Sequence, residues 1–568
     1  MPSTPPGAAS PAAAPVAWND FTPALFARAK AEGRFVVLDG AAEWCHFCHV
    51  MDEKTYGDAR VRAVLQKHFL ASKVDVDTRP DIEERYTDWG WPATVIFSPD
   101  GHELGKYRGF IPPEEFLEIL ARVVSGGARA EAREDAVVSV PKAPLSDDAL
   151  ALARSFTETE LEEFWDNKEG GWGREPKVPL GWNTLFALSA ARRGDARAKE
   201  HALTILDKQT KLIDPVWGGI YQYSVAPDWD HPHFEKLMFW NAGALAAYAE
   251  AFALTSDPKQ RARAADIRRY FEGFLLSEGG AFYGTQDADL NSHASSVPFA
   301  PTSPRGKGEF MKGEDYYKLP DRARRVLGVP RIDPNIYADD NGLAIYALAT
   351  LARSTNDSSA SALAKRAADH ILREHITAEG GVLHLAKAKG GDQSDAAVRV
   401  HLSDAAALGF GLAHLADVLR DGALEREAGR IATFLEKNLY DEVGGGFFAQ
   451  PVDPNAVGIF RSRRKPFDDN VLAARFLLKL DMLEGAARRR ATIEHAVRSL
   501  SSAAAIKDRG KFLGDYLLLL DELTSHRRLP ASVPSPATTE PSSHPSAPKA
   551  APKAVPKKPA PPRNPTHL

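Results

Sequence analysis

Two cysteines three positions apart, Cys45 and Cys48, are the only thiols in 568 residues, within Asp39-Gly-Ala-Ala-Glu-Trp-Cys-His-Phe-Cys-His. A pair with that spacing, following an apolar strand and opening a helix, is the arrangement for reversible dithiol–disulfide exchange. At the first turn of a helix the unpaired N–H groups and the helix dipole favour a thiolate. Cys45 is therefore expected to be the exposed nucleophile and Cys48, one turn further in, the resolving thiol. Protonated His46 would support the anion, and Asp39 on the preceding strand would take the Cys48 proton. Pro92, between Trp91 and the next apolar strand, is placed to face the dithiol from a cis X–Pro loop. Three other readings remain open for the same residues. Cys-x-x-Cys-His is a haem-attachment signature, but export is expected for that and no leader is visible. Zinc held by Cys45, Cys48, His46 and His49 would be short-range and strained. The pair can also be purely structural.

The elements that must position this site read as alternating strand and helix over 18–125. Residues 35–40, 71–77, 93–98 and 102–109 are predicted strands, the last two joined by a Pro-Asp-Gly turn. Residues 112–124 close as a helix with Pro and Glu in its first turn. The flanks are punctuation: a Pro/Ala-rich, disordered stretch at 1–17 and a linker at 126–144. From 527 to 568 a Pro/Ala/Lys-rich tail is expected to be disordered.

From 145 to 526 the pattern is all helical and repetitive. Amphipathic helices are predicted to begin near 147, 197, 259, 359, 422 and 485. They alternate with helices apolar nearly all round, which begin near Asn183, Asn241, Asn341, Asp404, Asn470 and Asp515. A helix apolar on every side must be buried on every side, and an amphipathic one covers it. Six such pairs describe an (α/α)6 barrel; a solenoid is the rival, with more even repeat lengths. The expected fold is an α/β redox domain followed by this all-α barrel.

The polar residues that start the inner helices, Asn241, Asn341, Asp404 and Asn470 among them, converge on one rim and are candidate ligand contacts. N-capping is their simpler use. Trp172 and Trp229 lie on connecting loops, where their faces would stack on a sugar ring or pack over the rim. His233 and Glu235, followed by Asp287 and Asp289, are the candidate acid–base groups of the barrel, with structural ion pairing as the alternative. No cofactor and no metal site is expected.

Residues 18–125 resemble thioredoxin. They are closer still to the thioredoxin-domain family that includes spermatogenesis-associated protein 20, long filed as DUF255. The carrying residues are Cys45-His46-Phe47-Cys48-His49-Val50-Met51, Val74-Asp75 with Arg79-Pro80-Asp81, and Gly90-Trp91-Pro92. The likeness continues through Gly170-Gly171-Trp172-Gly173, through Gly218 to Val225 with Pro232 to Lys236, and through Gln286 to Asp289. Related barrels include sugar 2-epimerases and glycosidases, so the resemblance implies a pocket of carbohydrate-processing ancestry. The chain departs from the family at Asp340-Asn341-Gly342, at Phe467-Asp468-Asp469-Asn470 and in a Ser/Pro-rich insertion at 291–308.

Composition narrows the partners. The net charge of -5 divides into a basic tail of +6 and a body of about -11, so a phosphate-binding groove is not expected and nucleic acid is excluded as a partner. No unbroken apolar run of membrane length is seen, and the N-terminus lacks a secretory pattern. A cytoplasmic protein is expected. Its partners would be a protein carrying a thiol or disulfide, and a carbohydrate-like small molecule. The leading reading is a thiol–disulfide redox protein. A carbohydrate isomerase or hydrolase with a regulatory or vestigial dithiol, and a non-enzymatic binding module, are the alternatives.

Overall fold

The computed structural model describes residues 14–127, 139–291, 310–386 and 400–530. Most of the N-terminal stretch, the middle of the linker, nearly all of the Ser/Pro-rich insertion and most of the tail lie outside them. Arg527 to Pro530, expected to begin the tail, are tied to the barrel. Arg527 meets Asp147 and Glu494, and the Pro530 carbonyl accepts the Ala487 N–H.

The first domain runs β1 (Trp18–Asn19), α1 (Pro23–Glu32), β2 (Phe35–Ala41), α2 (His46–Lys54), α3 (Ala59–His68), β3 (Phe69–Asp75), α4 (Pro80–Tyr86), β4 (Ala93–Phe97), β5 (Glu103–Arg108) and α5 (Pro113–Val124). The five strands stand in the order β1-β3-β2-β4-β5. β1 and β2 pair parallel with β3, and β4 and β5 join antiparallel. β3 begins and ends two residues earlier than the sequence suggests, because the Asp75 carboxylate accepts the Asp77 N–H and turns the chain. The two-residue β1 carries too little periodicity to be seen in sequence.

The rest is mostly helical, apart from two-residue ladders pairing Tyr223–Ser224 with Pro232–His233 and Lys236–Leu237 with Thr285–Gln286: α6 (Asp147–Glu162) and α7 (Gly181–Arg192), α8 (Ala196–Lys208) and α9 (Met238–Thr255), then α10 (Pro258–Tyr270). After the short α11 (Gly313–Tyr316) and α12 (Asp321–Leu327) come α13 (Ala338–Thr355), α14 (Ser358–Glu374), α15 (Leu402–Leu419), α16 (Gly422–Asn438) and α17 (Phe467–Glu484). α18 (Arg490–Leu500), α19 (Ala503–Asp508) and α20 (Gly514–His526) complete it. Helices α7, α9, α13, α15, α17 and α20 each pack on the next, and α20 returns to α7. That closed ring of six, with the amphipathic helices outside it, is an (α/α)6 barrel. The last outer helix starts at Arg490, not near 485, because Gly485 is the left-handed residue that ends α17. α13 and α15 approach so closely that a Cβ on Gly342 would lie 2.3 Å from the Ala407 carbonyl carbon. α15 is long and apolar enough to cross a membrane by composition, but 72% of it is buried within the ring.

The asparagines that start inner helices are clamps. Asn341 accepts the Phe282 N–H at 2.8 Å and donates to the Phe282 and Tyr337 carbonyls at 2.9 and 2.8 Å. Asn241 does the same for Ile220 and Leu237, and Asn470 for Phe447 and Pro466. Each grips the residue after a glycine turn and the carbonyl four residues back. All three are fully buried, and each commits both of its N–H groups and one oxygen lone pair to the clamp, so none has a donor left for a ligand. Asn341→Ala is expected to lower barrel stability by about 2 kcal/mol, because the Phe282 N–H and carbonyl would be left unsatisfied. An unchanged urea midpoint would show that the amide does not hold the turn.

The two domains are packed together, which the sequence did not suggest. Val457, Ile459 and Phe460, from the loop before α17, pack on the core of the first domain, and Phe460 lies 5.5 Å from the Phe21 ring. The Ile459 N–H donates to the Gly101 carbonyl, and Arg85 donates to the Ser462 carbonyl at 2.6 Å. The first domain thereby roofs the barrel end where the inner helices begin.

Candidate functional site

Cys45 is the N-cap of α2, and its Sγ accepts the Cys48 N–H at 3.2 Å. The two sulfurs are joined as a disulfide. The N-cap position supplies the positive helix end expected of a reactive sulfur. The expectation that Cys45 is exposed is corrected: it is 5% accessible and Cys48 3%, both within the domain's apolar core. Asp39 is buried on β2, 3.4 Å from Lys73. Burial pushes its carboxyl up to about 6 against the pull of Lys73. The Trp91–Pro92 bond is cis, and Trp91 lies over Gly40 on the neighbouring strand.

The two histidines of α2 reach across to the barrel. His46 Nδ1 meets Asp289 Oδ2 at 2.7 Å, and His49 Nε2 lies 3.5 Å from Asp287 Oδ2. Burial opposes a charge on His49, but Asp287 and then Asp52 outweigh it and raise its basicity. Burial likewise opposes the Asp289 carboxylate, yet His46 and the Gly313 N–H hold it below its usual value. His46 Nδ1 and His49 Nε2 are thus turned to barrel carboxylates. Phe47 lies near-parallel to the His233 ring at 6.2 Å, and His233 is hydrogen-bonded to the fully buried Glu235. His233 is raised by Glu235 despite its burial. All four acid–base candidates of the barrel, His233, Glu235, Asp287 and Asp289, thus stand on one side of its mouth, beside the dithiol helix.

Trp172 and Trp229 are 4% and 1% accessible, so neither offers a face to a ligand. Trp229 donates to the Glu169 carbonyl, and Trp172 packs on Trp165.

Across the mouth stands a group of carboxyls, only Asp404 of which was a sequence candidate. Asp339 and Asp340 begin α13, Asp404 begins α15, and Asp468 and Asp469 begin α17. From the roof come Asp77, which accepts the Trp44 indole N–H at 2.7 Å, and Glu83. Burial, with mutual repulsion, pushes Asp77 and Asp468 to about 7 and Glu83 to about 8. His384 joins the two sides, with Nδ1 2.9 Å from Asp404 Oδ1 and Nε2 2.7 Å from the Asp77 carbonyl. Asp339, His384 and Asp404 each offer a ligand atom within 4.8 Å of the others. His384 carried no sequence signal, because its partner Asp77 is 307 positions away.

Fold and site together define a thioredoxin-like domain closed onto the mouth of an (α/α)6 barrel. Residues 6–125 match the family described as Thioredox_DsbH, protein of unknown function, DUF255. Human spermatogenesis-associated protein 20 is 28% identical over 341 residues, 53% of this chain and 41% of that protein. The chain thus aligns with less than half the length of that relative. The thiol:disulfide interchange protein DsbD of Ralstonia nicotianae is 38% identical over 107 residues, 18% of this chain and 17% of its own. Among solved structures, a D-mannose isomerase aligns over 67% of this chain and 98% of its own at 11% identity, with TM-score 0.48. A GH76 α-mannanase of Bacteroides thetaiotaomicron aligns over 66% of this chain and 96% of its own, at 9% identity and TM-score 0.46.

Proposed function

We propose that this is a thiol–disulfide redox protein whose Cys45–Cys48 couple serves a small polar thiol or disulfide at the barrel mouth. The observation that carries the reading is the tie of the dithiol helix to the barrel, His46 to Asp289 and His49 to Asp287. With the helix so held, Cys45 is 5% accessible, too little for a folded protein to present its own disulfide. In the reducing direction the Cys45 thiolate attacks one sulfur of the ligand. The ligand S–S bond breaks and its other half leaves as a thiolate. Cys48 gives its proton to Asp39 and attacks Cys45 Sγ, re-forming the protein disulfide. Two electrons pass to the ligand, which departs as two thiols. The mouth carboxyls supply hydrogen-bonding positions for a polar or sugar-like body. A carbohydrate isomerase or hydrolase built on His233 and Glu235 is less favoured, because Glu235 is wholly buried and gives one oxygen to His233.

The reduced protein, mixed with hydroxyethyl disulfide or with insulin, is expected to turn over the small disulfide at least about tenfold faster, with both reactions absent in Cys45→Ser. Equal rates on the two substrates, or no reaction with either, would overturn the proposal.

A further inference from the structure

Beyond the dithiol, the buried group formed by His384, Asp404 and Asp339 has the donor set of a metal centre. Asp404 is wholly inaccessible, and its Oδ2 has no hydrogen-bond partner. An orphaned carboxylate oxygen in the interior is costly unless a cation meets it. His384 points the same way. The Asp77 carbonyl can only accept, so the Nε2 beside it at 2.7 Å carries a proton. That contact fixes the ring with Nδ1 turned toward the carboxylates, 2.9 Å from Asp404 and 3.8 Å from Asp339. A ring whose far N–H is held by a backbone carbonyl is the usual support of a metal-binding histidine. Donors about 2.0–2.1 Å from a tetrahedral ion stand roughly 3.3 Å apart, a separation that these two distances bracket.

The surroundings favour a dication. The carboxyls of Asp75, Asp77, Glu83, Asp340 and Asp469 interact electrostatically with this group. A bound dication favours the ionised form of carboxyls beside it, so these groups can supply balancing charge when the ion binds. Asp339 keeps 26% of its side-chain surface, so one side stays open toward the mouth.

We propose that His384 Nδ1 and carboxylate oxygens of Asp339 and Asp404 bind one divalent first-row transition ion, of the zinc or manganese class. One nitrogen and two oxygens suit such an ion better than calcium or magnesium, which take oxygen alone. The fourth position faces the mouth, open to water or to an oxygen of a ligand. This centre is separate from the dithiol, and either reading can fail without the other.

The test is calorimetric titration of the full, tag-free chain, stripped with chelator, with zinc and with manganese chloride. Cobalt(II) absorption reports whether nitrogen and oxygen donors form a tetrahedral set. One ion per chain is expected, with affinity at least about 100-fold lower in Asp404→Asn and His384→Gln, since loss of a direct ligand should exceed second-shell effects. Those variants also disturb the contact between domains, so Asp339→Asn is the deciding one. It should bind at least about tenfold more weakly while the metal-free protein unfolds at the wild-type temperature. Cys45→Ser/Cys48→Ser should bind as wild type does. No stoichiometric binding to the wild type would overturn the proposal and leave His384–Asp404 as an ion pair only. Unchanged affinity in Asp339→Asn, or binding lost with the cysteines, would overturn it equally.

Discussion

Asp287→Asn combined with Asp289→Asn will open the dithiol to folded substrates, raising the rate at which reduced thioredoxin reduces Cys45–Cys48 by about 30-fold. Asparagine keeps the carbonyl oxygens that accept the Gly313 and Asp289 N–H groups, so the loop itself should persist. What is lost is charge opposite His46 and His49. Charge-assisted hydrogen bonds contribute about 1.5–3 kcal/mol each, and a neutral substitute retains part of that. A loss of about 1 kcal/mol for each of the two pairs, one a hydrogen bond at 2.7 Å and one an ion pair at 3.5 Å, gives about 2 kcal/mol, or roughly 30-fold in the population of undocked helix. Dithiothreitol, small enough to enter the closed form, is the internal reference and should change much less. The pH dependence has a definite sign. His49 is raised in the docked form, so its contribution is complete below its ordinary value of 6.5 and is lost as pH rises through the raised value. Asp289 is lowered, so its contribution is present above 3.8 and is lost as pH falls through the lowered value. Docking is therefore tightest between the two. The ratio of the thioredoxin rate to the dithiothreitol rate should rise on the alkaline side in the wild type and stay flat in the double variant. A flat wild-type ratio, or a double variant no faster than wild type, would show that something other than these pairs closes the site.

The redox domain was legible because its signals are local. A strand, a Cys-x-x-Cys at a helix start and a Trp-Pro before the next strand lie within about sixty residues, and each constrains the backbone next to it. The barrel was legible for a different reason: helices apolar all round have nowhere to go but inside a ring. The asparagines show where such reading stops. Recurrence at the starts of inner helices was visible, but whether an amide turns toward the axis or back to a glycine turn depends on contacts 21 to 59 residues distant. His384 and Asp77 lie further out of reach, since nothing beside either residue announces the other. The docking of the domains was hidden behind a linker that reads as a separator. Its apolar part rests on Phe460 and its neighbours, in a loop whose apolar residues show no periodicity.

Asp214→Ala is expected to cost the barrel about 3–5 kcal/mol, more than loss of either cation it holds. Asp214 Oδ2 accepts from Lys236 Nζ at 2.9 Å and from Arg324 Nη1 at 2.7 Å, and all three side chains are wholly buried. Burial works against the Asp214 carboxylate, but Lys236 and Arg324 outweigh it and keep it ionised. Lys236 also holds the Gly218 carbonyl at 2.9 Å and stands 4.6 Å over the Tyr270 ring, while Arg324 donates to the Leu319 carbonyl and faces Trp217 at 4.9 Å. Remove the carboxylate and two cations remain enclosed, facing each other with only carbonyls and ring faces in support. Remove Lys236, as in Lys236→Met, and Asp214 still has Arg324 and the Val216 N–H. That variant should lose only about 1–2 kcal/mol, chiefly through the unpaired Gly218 carbonyl. A chain of two packed domains need not unfold in one step, so the quantity to read is the barrel transition in calorimetry. The same Lys-Asp-glycine device recurs at Lys177–Asp166 and Lys465–Asp441, whose aspartates retain 12% and 15% of their surface. Water can reach those, so Asp166→Ala and Asp441→Ala should each cost less than Asp214→Ala. If Lys236→Met proved the more damaging change, or the three aspartates proved equal, burial of unpaired charge would not be what sets the order.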